Sequence, residues 1–141
     1  KFVQTFYMYG WGIGAGLSLG IGYNRPEVKR IIADTPFLSM EDLEQRFSSW
    51  DEPMEVPFAG YEKKFEPIYS LDMAPHNNLE KIMLIIGSND NLYKVADMKT
   101  LQAKQKKIIT SIYEVNNIES QDNFMTDKAA YFGTITKFLN N

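Results

Sequence analysis

Cysteine is absent from the 141 residues, which excludes a disulfide framework, a thiolate nucleophile and a zinc–cysteine centre, and leaves the redox compartment open. Histidine occurs once, as His76, so any chemistry that needs an imidazole must use that residue. A large charge of one sign is missing too. At a formal net charge of −3 nothing draws the chain to nucleic acid or to an anionic membrane surface. Lys104, Lys106 and Lys107 read as a solvated helix face rather than a binding patch.

An unbroken apolar run is also lacking. The stretch "TFYMYGWGIGAGLSLGIGY" (residues 5–23) carries no charged side chain and approaches the roughly 20 residues that a membrane span needs. Gly10 with Gly14, and Gly12 with Gly16, have the spacing of a membrane helix-pairing motif. Yet strong apolar side chains are sparse there, and each glycine costs a helix about 1 kcal/mol relative to alanine. A signal peptide would use Lys1 as its positive start, but the glycines interrupt its apolar centre. The expectation is a soluble protein without a membrane partner and without a cofactor, its compartment unknown and the cytoplasm slightly favoured. With 44% hydrophobic and 13% aromatic residues, the composition supports one domain with its own core.

The patterning alternates. Residues 2–9, "FVQTFYMY", are aromatic and β-branched, as in a buried strand. Residues 15–24 suit a short helix whose small side chains let it lie close to a sheet, and residues 28–37 a second strand with its centre at 29–33, stopped by Pro36. Ser39 stands three residues before Asp42, a helix-capping signal for "SMEDLEQRF". From 48 to 78 the periodicity fails amid Trp50, Pro53, Pro57, Phe58, Tyr61, Phe65 and Pro67, an excursion from the sheet. "KIMLIIGSND" (81–90) restores order as a fully buried parallel strand over 81–86 and its turn. A helix over 91–107, a strand over 108–115 and a final helix capped by Thr126 complete the chain. Such alternation predicts an α/β three-layer fold: a parallel sheet with helices on both faces, in one domain with a lid-like insertion at about 38–80.

Two kinds of glycine-rich turn fit between the first strand and its helix. Gly10, Gly12 and Ala15 satisfy "GxGxxA", a dinucleotide-binding turn, with Asp34 placed to hold a ribose. The window Gly10–Gly14 also has the flanks of a "GxSxG" nucleophile elbow, with Gly12 where the serine would stand.

The order of "FYMYGWGIGAGLSLGIG", "VKRIIADTPF", a variable insertion, "IMLIIGSND" and a last strand and helix resembles the C-terminal half of the α/β-hydrolase fold over nearly the whole chain. The resemblance implies a nucleophile at Gly12, an acid at Asp90 in "GSND", and a histidine near Asp122 or Asn123. None of those last two is histidine, and Gly12 bears no nucleophile, so the triad is degenerate and Asp90 is left to cap a turn. Ser18 lies inside the helix and cannot replace the nucleophile, and His76 sits in the excursion. Glycine suits an elbow whose chemistry is gone, because a side chain there holds a strained backbone costing on the order of 1–3 kcal/mol.

The resemblance therefore implies a non-catalytic binding or scaffold protein, with a small apolar ligand in the old pocket or a partner at the aromatic insertion. The alternatives are an esterase whose site is altered or completed by other sequence, and a dinucleotide-binding domain. In the family the first strand is central, so its partner here is expected to be a missing N-terminal half or a second copy.

Overall fold

The structure, a computed structural model, describes residues 5–49, 62–117 and 122–141. Expectations for residues 2–4, for Trp50, Pro53, Pro57, Phe58 and Tyr61, and for residues 118–121 lie outside the described residues. Four strands, β1 (Phe6–Trp11), β2 (Val28–Asp34), β3 (Lys81–Gly87) and β4 (Ile109–Val115), form one sheet in the order β1-β2-β3-β4. All three pairings are parallel, as the strand–helix alternation predicts.

The run "KIMLIIG" becomes β3 because both faces are covered. Ile82, Leu84 and Ile86 point to one core, and Met83 and Ile85 to the other. The first core takes Ala15 and Leu19 from α1 (Ile13–Tyr23), Leu43 and Phe47 from α2 (Met40–Phe47), and Met98 and Leu101 from α4 (Val95–Lys104). The second takes Tyr131 and Phe138 from α6 (Lys128–Asn140). Helices thus cover both faces of the sheet, and among the described residues none is long and apolar enough to cross a membrane.

The helix starts follow local chemistry. Ser39 caps α2 by accepting the Asp42 N–H at 3.0 Å, as its spacing predicts. The last helix is capped by Asp127, which accepts the Ala130 N–H at 3.0 Å, rather than by Thr126. Thr126 closes the short helix α5 (Asn123–Thr126), one residue earlier.

Although its composition reads as a buried strand, the first strand keeps the open edge that the resemblance implies. It stands at the sheet edge, paired with β2 alone, and Phe6, Tyr7, Tyr9 and Trp11 stay about half exposed.

The glycines of α1 do two different jobs. At Gly20 a Cβ would stand 1.7 Å from the backbone oxygen of Phe65, so the turn at Lys63–Phe65 and α3 (Pro67–Ser70) dock directly on bare helix. Gly16 makes room for the Phe37 ring in the same way. Gly14 faces nothing within 4 Å. Gly20→Ala should therefore cost about 1–3 kcal/mol by overpacking against backbone. Gly14→Ala should leave stability unchanged or raise it by up to about 1 kcal/mol through helix propensity. Urea denaturation of the two variants checks the pair, and a neutral Gly20→Ala would refute the docking.

Candidate functional site

The C-terminal ends of β1, β2 and β3 meet at one place. Gly12, between β1 and α1, has φ 63° and ψ −130°, a conformation that glycine adopts without a Cβ clash. Its N–H donates to the Asp34 carbonyl at 3.1 Å, and its carbonyl accepts from the Ala15 N–H at 3.0 Å. Nothing lies within 4 Å of where a Gly12 Cβ would stand. At Gly10 a Cβ would fall 2.2 Å from the Gly14 carbonyl oxygen, so strand and helix touch just before the turn. Thr35 also holds a positive φ, 59°, and for a β-branched residue that is a real strain. Gly12 and Thr35 line the same opening.

Two cavities of about 170 Å³ each share Gly12, Thr35 and Asp90. One is apolar, walled by Ile13, Phe37, Leu43, Phe47 and Leu92. The other is polar, lined also by Trp11, Asp122 and Asn123. The α1 N-terminus opens here with no side-chain cap and no acid in its first turn.

Asp90 lines both cavities, but its Oδ1 accepts the N–H groups of Leu92 and Tyr93, each at 2.8 Å. It holds the turn that leads into α4. The position expected for a histidine is wired elsewhere. Asn123, buried, donates its amide to Asp34 Oδ1 at 2.7 Å and accepts from Asn117 at 3.1 Å. Asp122 stays on the wall of the polar cavity. Asn123 and Asp34 are thus brought together, while Asp90 bonds to neither Asp122 nor Asn123 among the described hydrogen bonds.

Asp34 is a polar hub in an apolar setting. Its side chain is fully buried; Tyr131 donates to Oδ2 at 2.5 Å and Thr35 to Oδ1 at 2.9 Å. Tyr9 extends the chain, its hydroxyl 2.7 Å from that of Tyr131. Burial raises the Asp34 pKa even though these donors pull it down. Burial, then the neighbouring carboxylate, pushes the Tyr131 hydroxyl far up. With its oxygens so engaged, Asp34 offers nothing to a ribose, and "GxGxxA" loses its acid. The hub was missed from sequence; an aspartate closing the apolar run "IIAD" was the available signal.

The other candidates lie away from the opening. Ser18 is buried in α1 beneath Gly10 and lines neither cavity. His76 sits at the opposite end of the sheet, near Pro26 and the start of β2, about 20 Å away across a seven-residue strand. It is partly buried rather than exposed. Its Nδ1 accepts the Asn78 N–H at 3.2 Å, its Nε2 is buried without a partner, and burial lowers its pKa.

A raised carboxyl pKa means that the folded form holds the Asp34 proton more tightly than the unfolded chain. The stability it contributes is complete at low pH and is lost as pH rises through the raised value. Tyr131→Phe removes a donor that favours the carboxylate. It should cost about 1–3 kcal/mol and carry that loss to higher pH. Urea midpoints measured across pH for both proteins check the size and the direction.

The chain matches no protein-family model and no curated protein sequence. It is similar in structure to an esterase of Pyrococcus furiosus, Pf2001, in two crystal forms. There the TM-scores are 0.62 and 0.67 at 19% and 16% identity, covering 97% of this chain and 53% of the esterase. A meta-cleavage product hydrolase, CumD, matches at TM-score 0.51 and 14% identity, over 98% of this chain and 66% of that one. The chain spans about half the length of the esterase, and over that span it shares the α/β architecture of these hydrolases.

Proposed function

We propose that this protein is a non-catalytic member of the α/β-hydrolase architecture, which binds a small apolar molecule in the cavity above Gly12. One observation carries the reading. The backbone at Gly12 makes a sharp strand-to-helix turn, with φ 63° and ψ −130°, and opens onto empty space, yet supplies no nucleophile. A serine there would need an adjacent base within hydrogen-bond reach. The positions where a base would stand hold Asp122 and Asn123, and the sole histidine lies at the other end of the sheet. The apolar cavity supplies the binding half. Its volume of about 170 Å³ is comparable with the ~150 Å³ of an engineered dry cavity that takes up benzene.

The strand-to-helix turn at Gly12 favours a second reading, an esterase whose site is altered. A short-chain aryl ester separates the two. No hydrolysis above background is expected from the protein or from Gly12→Ser, because a serine at its ordinary pKa is a poor nucleophile. Gly12→Ser combined with Asn123→His, or with Asp122→His, is the informative rescue, with weak activity expected. Robust turnover by the unmodified protein overturns the non-catalytic reading. For binding, phenol titrated to millimolar concentration should shift the amide resonances of Gly12, Ile13 and Thr35. Unmoved resonances would remove the cavity as a ligand site.

A further inference from the structure

The sole histidine is held in a way that fixes the place of its proton. His76 lies in the connection from α3 to β3, at the end of the sheet away from the opening. Its Nδ1 accepts the backbone N–H of Asn78 at 3.2 Å, so the ring stands where the side chain of an Asx turn would stand. An accepting nitrogen carries no proton, which places the proton of the neutral ring on Nε2. That atom is buried and has no hydrogen-bond partner among the described residues. Both nitrogens therefore oppose a second proton. It would enter at Nδ1 and point at the N–H of Asn78, donor against donor. The charge would fall on a ring whose other N–H has no acceptor.

The charges nearby do not reverse this. Glu27, from the connection between α1 and β2, is the carboxylate that acts on the ring, and Arg25 holds it at 3.3 Å. On the connection of His76 itself, Asp72 pairs with Lys104 at 2.6 Å and Glu80 with Arg30 at 3.0 Å. From α1, Tyr23 gives its hydroxyl to the Met73 carbonyl at 2.6 Å. Burial outweighs Glu27 and lowers the pKa of the ring.

The turn lies between two firm anchors. Met73 is fixed by Tyr23 and by Gln105, whose amide donates to the Leu71 and Met73 carbonyls at 3.0 and 3.1 Å. Glu80 is fixed by its N–H on the Lys29 carbonyl at 2.7 Å. Between them, the Leu79 N–H donates to the His76 carbonyl at 3.2 Å, and the Asn78 amide to the Pro26 carbonyl at 3.1 Å. Leu79 lies beneath, buried in the first core. We propose that the turn His76–Asn78 is a proton-operated latch: protonation of His76 at Nδ1 breaks its bond to Asn78, frees residues 74–79 from Pro26 and uncovers Leu79. The released ring titrates at its ordinary value of about 6.5. The open form thus takes up a proton that the closed form refuses. The closed turn is favoured fully above that value and loses ground as pH falls through it. The ratio of open to closed rises by up to about tenfold from pH 7.5 to 5.5.

Nitrogen NMR of the ring and hydrogen exchange of the backbone test the latch. At pH 7.5 the ring should be the Nε2–H tautomer. From pH 7.5 to 5.5 the protection factors of Asn78 and Leu79, corrected for intrinsic exchange, should fall by up to about tenfold. Thr35, whose N–H bonds to the Ile85 carbonyl inside the sheet, should keep its protection. His76→Asn puts an amide oxygen at the place of Nδ1 and does not titrate. It should hold the turn closed and abolish the pH dependence at Asn78. An Nδ1–H tautomer at pH 7.5 overturns the proposal, as does protection at Asn78 and Leu79 that changes by less than about twofold. A loss shared equally by Thr35 is unfolding of the whole chain and overturns it too. So does a pH dependence that survives in His76→Asn.

Discussion

A carboxyl group withdrawn from water at the end of β2 holds the site together. Asp34 receives hydroxyls from Tyr131 and Thr35 and an amide from Asn123, and its own carbonyl takes the N–H of Gly12. One residue thereby fixes α6, α5 and the turn after β1 relative to the centre of the sheet. Burying a carboxyl without donors would cost several kcal/mol, so those partners are obligatory rather than decorative. The strained backbone of Thr35 is explained by the same demand, since it brings the Oγ1 onto the carboxyl beside it.

Around that hub the surface of the opening is divided by chemistry. Toward Phe37, Leu43 and Phe47 it is hydrocarbon; toward Asp122 and Asn123 it is polar. Gly12 stands where the two meet and contributes only backbone. An uncapped helix start faces the same space, with the partial positive charge of its free N–H groups. The described side chains of the opening provide no nucleophile–base pair.

Much of the architecture was legible, because its signals are local. "KIMLIIG" can satisfy its hydrophobicity only between two helix layers, and Ser39 announces α2 three residues ahead of the N–H that it caps. What was not legible depended on distance. The role of Asp34 depends on residues 89 and 97 positions away, and no short motif joins them. Asp90 reaches the opening from its place in "GSND", but the direction of its carboxyl is set by the two N–H groups that follow it. Asp127 rather than Thr126 caps α6 because the short helix before it had already taken up the threonine.

The sequential strand order has a consequence for local opening. β1 hydrogen-bonds to β2 only and is one of the two terminal strands of the described sheet, β4 being the other. It can leave the sheet, with α1 following, while β2, β3 and β4 keep both their pairings and the core beneath α6. The Gly12 turn belongs to the part that leaves, whereas Asp34 and Tyr131 belong to the part that stays. The site therefore straddles two cooperative units, and its lifetime is set by the weaker one.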